Sequence, residues 1–233
     1  MTESQPGAGQ GAFADSAYKE AVIDLLGAIA YGELAAFERL AEDAKMAPGI
    51  ADKIALSAMA ASEFGHLLTL NARLTALGAD PVLAMEPFRA ALDAFHEHSA
   101  PSDWYEGLVK VYVGDGLASD FYREVAAYLD PETRALITET LSDSGHSAFV
   151  VEKVREAIER DHRLGGRLAL WGRRLMGEAL IQAQRVAAER DAMTALLAGG
   201  VDRPGMDLAA IGRMFTRLTE RHTERMAELG LEA

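Results

Sequence analysis

Two short stretches limit what this 233-residue chain can become. "ASEFGHL", residues 61–67, places Glu63 and His66 three positions apart in an apolar run, and "LSDSGHS", residues 141–147, repeats the spacing with Asp143 and His146. Groups three residues apart share one face of a helix. In an apolar run that face packs inward, where an unpaired carboxylate costs several kcal/mol. The chain must therefore fold so that both pairs meet partners.

The rest of the sequence reads as helix. Alanine and leucine abound, aromatic residues make up only 7%, and no period-two run of Val, Ile and Thr marks a strand. The fold class is all-α. A first helix over about 17–45 stops at Pro48 and Gly49. A second, over about 51–77, has Gly78 placed as its C-cap and Pro81 beyond it. A short helix begins at Pro87, and a third long helix runs over about 102–129 from Ser102 as N-cap. Asp130 and Pro131 open a fourth that continues to about 161. After "HRLGGR" a fifth reaches about 197, and a last one covers 207–229. The expectation is two helical hairpins joined by a crossover helix, followed by two additional helices. These form one domain over 17–233, with a four-helix core at 17–162, C-terminal helices at 163–233 and a disordered tail at 1–16.

In a four-helix bundle the inward positions recur about every 3.5 residues. The first helix then points Leu26, Ala30, Glu33, Phe37 and Leu40 inward, and the second Leu56, Met59, Glu63, His66 and Leu70. The third gives Leu108, Val111, Asp115, Ala118 and Tyr122, and the fourth Leu136, Thr140, Asp143, His146 and Val150. Each long helix thus carries one acid near the middle of its seam. Heights agree too, because the midpoint of Glu33 with Glu63 or His66 falls near Pro48, and that of Asp115 with Asp143 or His146 near Asp130. Glu33, Glu63, His66, Asp115, Asp143 and His146 are expected at one level. Asp120 competes with Asp115 but lies about 140° further round the helix, so Asp115 is preferred. Gly114 and Gly116 beside it read either as a close helix crossing or as room for a substrate. Tyr31, Tyr112 and Tyr122 are placed near the site or in the core around it.

Four buried carboxylates and two imidazoles are neutralised by two divalent cations. The chain has no cysteine, so the ligands are oxygen and nitrogen, a set that serves iron, manganese and zinc alike. A formal charge of −13 excludes general attraction to nucleic acid. One local exception is "RLGGRLALWGRRLM", residues 163–176, with Arg163, Arg167, Arg173 and Arg174 and no acid. These arginines suit phosphate contacts, with Trp171 for base stacking. Equally, Arg167, Arg174 and Arg185 suit pairing with the acidic bundle while Leu168, Trp171, Leu175 and Met176 pack against it. The sequence shows no basic-then-apolar leader and no apolar run of about 18 residues, so a cytoplasmic protein is expected.

The stretches "YGELAAFERL", "ASEFGHLLTL", "YVGDGLASDFYRE", "LSDSGHSAFVVEKV" and the crossover "PFRAALDAF" resemble the ferritin-like superfamily over roughly residues 17–162. Within it they are similar to the tRNA methylthio-isopentenyl-adenosine hydroxylase (MiaE-type) branch, in particular its actinobacterial relatives. That resemblance implies a ferritin-like four-helix bundle holding two Fe ions, or Mn, through Glu33, Glu63, His66, Asp115, Asp143 and His146. It also implies dioxygen-dependent hydroxylation of a modified tRNA adenosine side chain, with tRNA contacts from Arg167, Arg173 and Arg174. Asp115 and Asp143 depart from the Glu-rich pattern by one methylene each. No flavin or nicotinamide motif is present, so electrons for such an oxidoreductase come from an external donor. Two other classes stay open: a ferritin-like metal-binding protein without organic substrate, and a non-catalytic helical protein with a degenerate site. The amphipathic segment at 207–229 suits a homodimer contact.

Overall fold

A computed structural model describes residues 13, 15–141, 146–198 and 205–233, the side chains of His146, Ser147 and Leu208 excepted. Among these residues there are nine α-helices and no strand. They are α1 (Ser16–Asp43), α2 (Ile50–Ala76), α3 (Pro81–His98), α4 (Trp104–Ala126), α5 (Pro131–Thr140), α6 (His146–Arg160), α7 (His162–Glu189), α8 (Asp191–Ala198) and α9 (Leu208–Glu228). None is long and apolar enough to cross a membrane.

One device starts most of these helices. The side chains of Asp15, Asp80, Asp103, Asp130, Asp161 and Asp207 each accept a hydrogen bond from a backbone N–H in the first turn. A cap of this kind contributes about 1 kcal/mol. Asp103, not Ser102, caps α4; the Ser102 hydroxyl and N–H donate instead to Glu106 at 2.6 and 2.8 Å. The crossover helix likewise starts earlier than Pro87. Asp80 caps it and Pro81 occupies its first turn, leaving Pro87 inside. Gly78 ends the α2 segment at φ +79°, the left-handed conformation that favours glycine.

The fourth and fifth helices of the sequence reading are each described in two parts. Those of the fourth are α5 and α6, and residues 142–145 between them lie outside the described residues. The fifth is broken at Arg190, whose backbone (φ −129°, ψ 89°) leaves helical geometry. Its guanidinium there reaches back to Asp24 of α1, with Nε–Oδ2 3.0 Å and Nη2–Oδ1 2.5 Å. Three C-terminal helices therefore follow the bundle among the described residues.

The bundle has apolar clusters at both ends. One gathers Val22, Leu25, Leu26, Leu70, Leu74, Phe88 and Ile137, and the other Leu40, Leu56, Leu108, Val154, Leu168 and Met226. Packed α7 closes the second: Leu168, Trp171 and Leu175 are buried, and the Trp171 indole donates to the Glu106 carbonyl at 3.0 Å. Polar groups occupy the level between the clusters.

The α1–α3 crossing is set by Gly27, where an added Cβ would sit 2.2 Å from the Ala84 carbonyl oxygen. Alanine at a helix interior normally gains up to about 1 kcal/mol over glycine. Here the backbone of α3 would have to move, and overpacking of this kind costs about 1–3 kcal/mol. Gly27→Ala is expected to lower unfolding free energy by about 2 kcal/mol in urea melts, whereas Gly177→Ala, with nothing within 4 Å, should raise it. A higher midpoint for Gly27→Ala would show that the helices part freely.

Candidate metal centre

Glu33 comes from the middle of α1, and Glu63 and His66 from one face of α2. The α1–α2 hairpin turns through a short 3₁₀ segment at Ala44–Met46 and through Gly49, which brings these three to one height. His66 Nδ1 lies 3.2 Å from Glu33 Oε2 and 3.6 Å from Glu63 Oε2. One ligand atom from each of the three lies within 4.8 Å of the others. Donors at about 2.1 Å from a shared ion are at most about 4.2 Å apart, so a closure of a few tenths of an ångström completes a coordination triad.

Electrostatics show how these groups coexist without an ion. Hydrogen bonds to Glu33 and Glu63 push the His66 imidazole up to about 10, against the cost of its burial. Burial pushes Glu63 up to about 7, opposed by its hydrogen bond to His66. An imidazolium between Glu33 and Glu63 is thus the positive charge of this cluster.

The triad borders a cavity of about 470 Å³, within the range typical of small-molecule sites. Asp115 of α4 borders the same cavity but stands outside the 4.8 Å group. Its side chain is exposed to the cavity with many protein atoms around it, and desolvation, followed by the Glu63 charge, holds its carboxyl well above the ordinary value. Asp120 turns elsewhere: it is buried against Arg225 at 2.6 Å and Arg221 at 3.4 Å of α9. Asp143 lies outside the described residues. His146 opens α6, and its side chain is likewise outside them; Thr140, Leu141 and Val150 line the cavity.

The two glycines beside Asp115 divide the two readings between them. An added Cβ at Gly116 would meet the Arg225 guanidinium at 2.0 Å, a close crossing, whereas Gly114 has nothing within 4 Å and faces the cavity. Tyr112 and Tyr122 line the cavity too. Tyr31 instead donates to Asp93 at 2.6 Å.

Sequence reasoning missed a second polar group on this cavity, formed by Arg39, Asp43, His96 and Lys110. Its signal was the lysine inside the apolar run "GLVKVYVG".

The arginine-rich face of α7 is engaged within the molecule. Arg167 pairs with Asp103 and with Glu106 at 2.5 Å. Arg173 donates to the Glu232 carbonyl at 2.9 Å, and Arg174 to the His98 carbonyl at 2.7 Å while lying over Trp171. Arg185 pairs within its own helix with Glu189.

No curated protein matches this sequence. Among solved structures, a Synechococcus protein with aldehyde deformylating oxidase activity shares the fold, with TM-score 0.70 and 22% identity, covering 95% of this chain and 94% of its own. A family described as the ferritin-like domain of actinomycetes matches residues 16–200. The chain belongs to that actinomycete ferritin-like family.

Proposed function

We propose that this protein is a metal-dependent oxidoreductase that acts on a small organic substrate. Glu33, Glu63 and His66 hold one metal, and Asp115, Asp143 and His146 complete a two-metal centre, with iron the preferred ion and manganese the alternative. The observation that carries this reading is the position of the triad on the wall of a 470 Å³ cavity, where an organic molecule can approach it. A similar fold in a protein with oxidase activity supports oxidation over metal storage.

Bound iron would supply dioxygen activation and electron transfer. The chain's own residues bind and enclose. Ile29, Leu40, Met59, Leu92 and Val111 line the cavity, seat an apolar substrate segment and keep water from it. The Tyr122 hydroxyl, kept protonated by burial and by the Glu33 charge, offers a hydrogen-bond donor on the same wall. Reducing equivalents would come from a separate donor protein.

Hydroxylation of a tRNA adenosine side chain is the narrower form of this proposal. It has less support than a small-molecule substrate, because Arg167, Arg173 and Arg174 already have partners on the protein.

Anaerobic titration with Fe(II) tests the reading, with iron content and melting temperature as readouts. About two irons per chain and a rise in melting temperature on loading are expected. An iron content no higher than that of a His66→Ala, His146→Ala double variant would overturn it. Oxygen uptake by the loaded protein with and without hypomodified tRNA then separates the two substrate classes.

A further inference from the structure

The cavity has a second polar end, away from the triad. Lys110 lies in α4 between Val109 and Val111 and is 4% exposed. Its ammonium has one long contact to a protein acceptor, the His96 carbonyl at 3.4 Å, and stands 5.7 Å from the Phe95 ring centre. No carboxylate oxygen among the described residues comes within 4.0 Å of it. Asp43, 5% exposed, contributes charge from a greater distance and itself accepts no hydrogen bond among those residues. The His96 ring is neutral, its proton affinity lowered to about 3 by burial and by the Lys110 and Arg39 charges, and its buried Nδ1 has no partner. Arg39 borders the same space and pairs with the exposed Glu42 at 3.6 Å.

Buried ammonium groups are normally paired. An unpaired one on a cavity wall has donor positions directed at whatever fills the cavity. The charge count defines the filler. Lys110 and Arg39 bring two positive charges, Asp43 at most one negative charge, and His96 none; Glu42 beside Arg39 is more than half exposed and screened by water, so a single anionic group balances the buried part of this end. A dianionic phosphate would exceed that balance and face Asp43.

Geometry defines the rest of the ligand. Lys110 is five residues from Asp115 on α4, and Asp43 is ten from Glu33 on α1, so the two polar ends are separated by roughly 7 to 15 Å along the bundle. Leu40, Met59 and Val111 line the cavity they share.

We propose that Lys110 and Arg39, with His96, form a carboxylate-anchoring site, and that its ligand is a medium-chain aliphatic monocarboxylate whose chain lies along the apolar wall toward Glu33, Glu63 and His66. Anchoring by this site needs no metal, so it stands or falls separately from the oxidoreductase reading.

Calorimetric titration of the metal-free, full-length protein with sodium octanoate and with 1-octanol tests the site. Wild-type protein should bind octanoate at least about tenfold more tightly than 1-octanol, the usual effect of one charge-assisted hydrogen bond. Lys110→Met should erase that difference, and Lys110→Arg and the surface control Lys45→Met should keep it. Absence of octanoate binding, equal affinity for the alcohol, or equal weakening by Lys45→Met would overturn the proposal. Should Lys110→Met fail to fold, the two wild-type titrations and Lys110→Arg decide the matter.

Discussion

His66→Ala is expected to weaken Fe(II) binding by at least about 100-fold, because loss of a group that merely supports a ligand already costs 10- to 100-fold. The imidazole has two tasks. It offers a nitrogen donor between two carboxylates, at 3.2 Å from Glu33 and 3.6 Å from Glu63. In the metal-free protein its positive charge also keeps those carboxylates together, so its removal leaves two like charges that move apart or share a proton. Asp115→Asn should also weaken binding, by a smaller factor, since Asp115 borders the cavity without joining the triad. Asp120→Asn should leave affinity within a few fold, since that carboxylate is already held by Arg225 and Arg221. Anaerobic calorimetry on the three variants measures this order. Retention of wild-type affinity by His66→Ala would place the metal elsewhere, and a larger loss from Asp120 than from Asp115 would reverse the assignment on α4.

Arg190→Ala is expected to cost about 3 kcal/mol of folding free energy, measured by urea denaturation. Asp24 is 5% exposed in the wall of α1, and both its oxygens accept from the Arg190 guanidinium. Breaking a buried pair from one side leaves an uncompensated charge, at about 3–5 kcal/mol. The lower end applies here because the Arg190 side chain is about a third exposed. Combining Arg190→Met with Asp24→Leu should recover most of the loss, since apolar residues of similar size replace such pairs at little cost. A single-variant loss below about 1 kcal/mol would mean that water reaches Asp24.

Seam arithmetic was enough to bring Glu33, Glu63 and His66 together in advance, because residues equidistant from one turn must meet when the helices are straight and the turn is short. It also put Asp115 and Asp120 on different sides of α4, where Asp115 borders the cavity and Asp120 meets Arg225. What it lacked was any term for contacts between remote segments. Arg190 sits in a stretch with good helical pattern, yet the helix breaks there, where its guanidinium is held by Asp24, 166 residues earlier. The α7 arginines pose the same problem in reverse. "RLGGRLALWGRRLM" allows both a phosphate-binding surface and pairing with the bundle, and the sequence does not name Asp103, Glu106 and the His98 carbonyl as the partners. Lys110 was legible as an anomaly, a charge among valines, but the cavity that gives it meaning is assembled from seven helices.

The Asp24–Arg190 pair also bears on how the chain is made. Ribosomes add about 5–20 residues each second, so the Asp24 carboxylate emerges roughly 8 to 33 s before the guanidinium that will neutralise it. During that interval α1 and α2 can associate only with that wall still hydrated. The nascent hairpin is then an open intermediate whose last desolvation step waits for the C-terminal third of the polypeptide. A truncation ending shortly before residue 190 would hold the chain in that unfinished state.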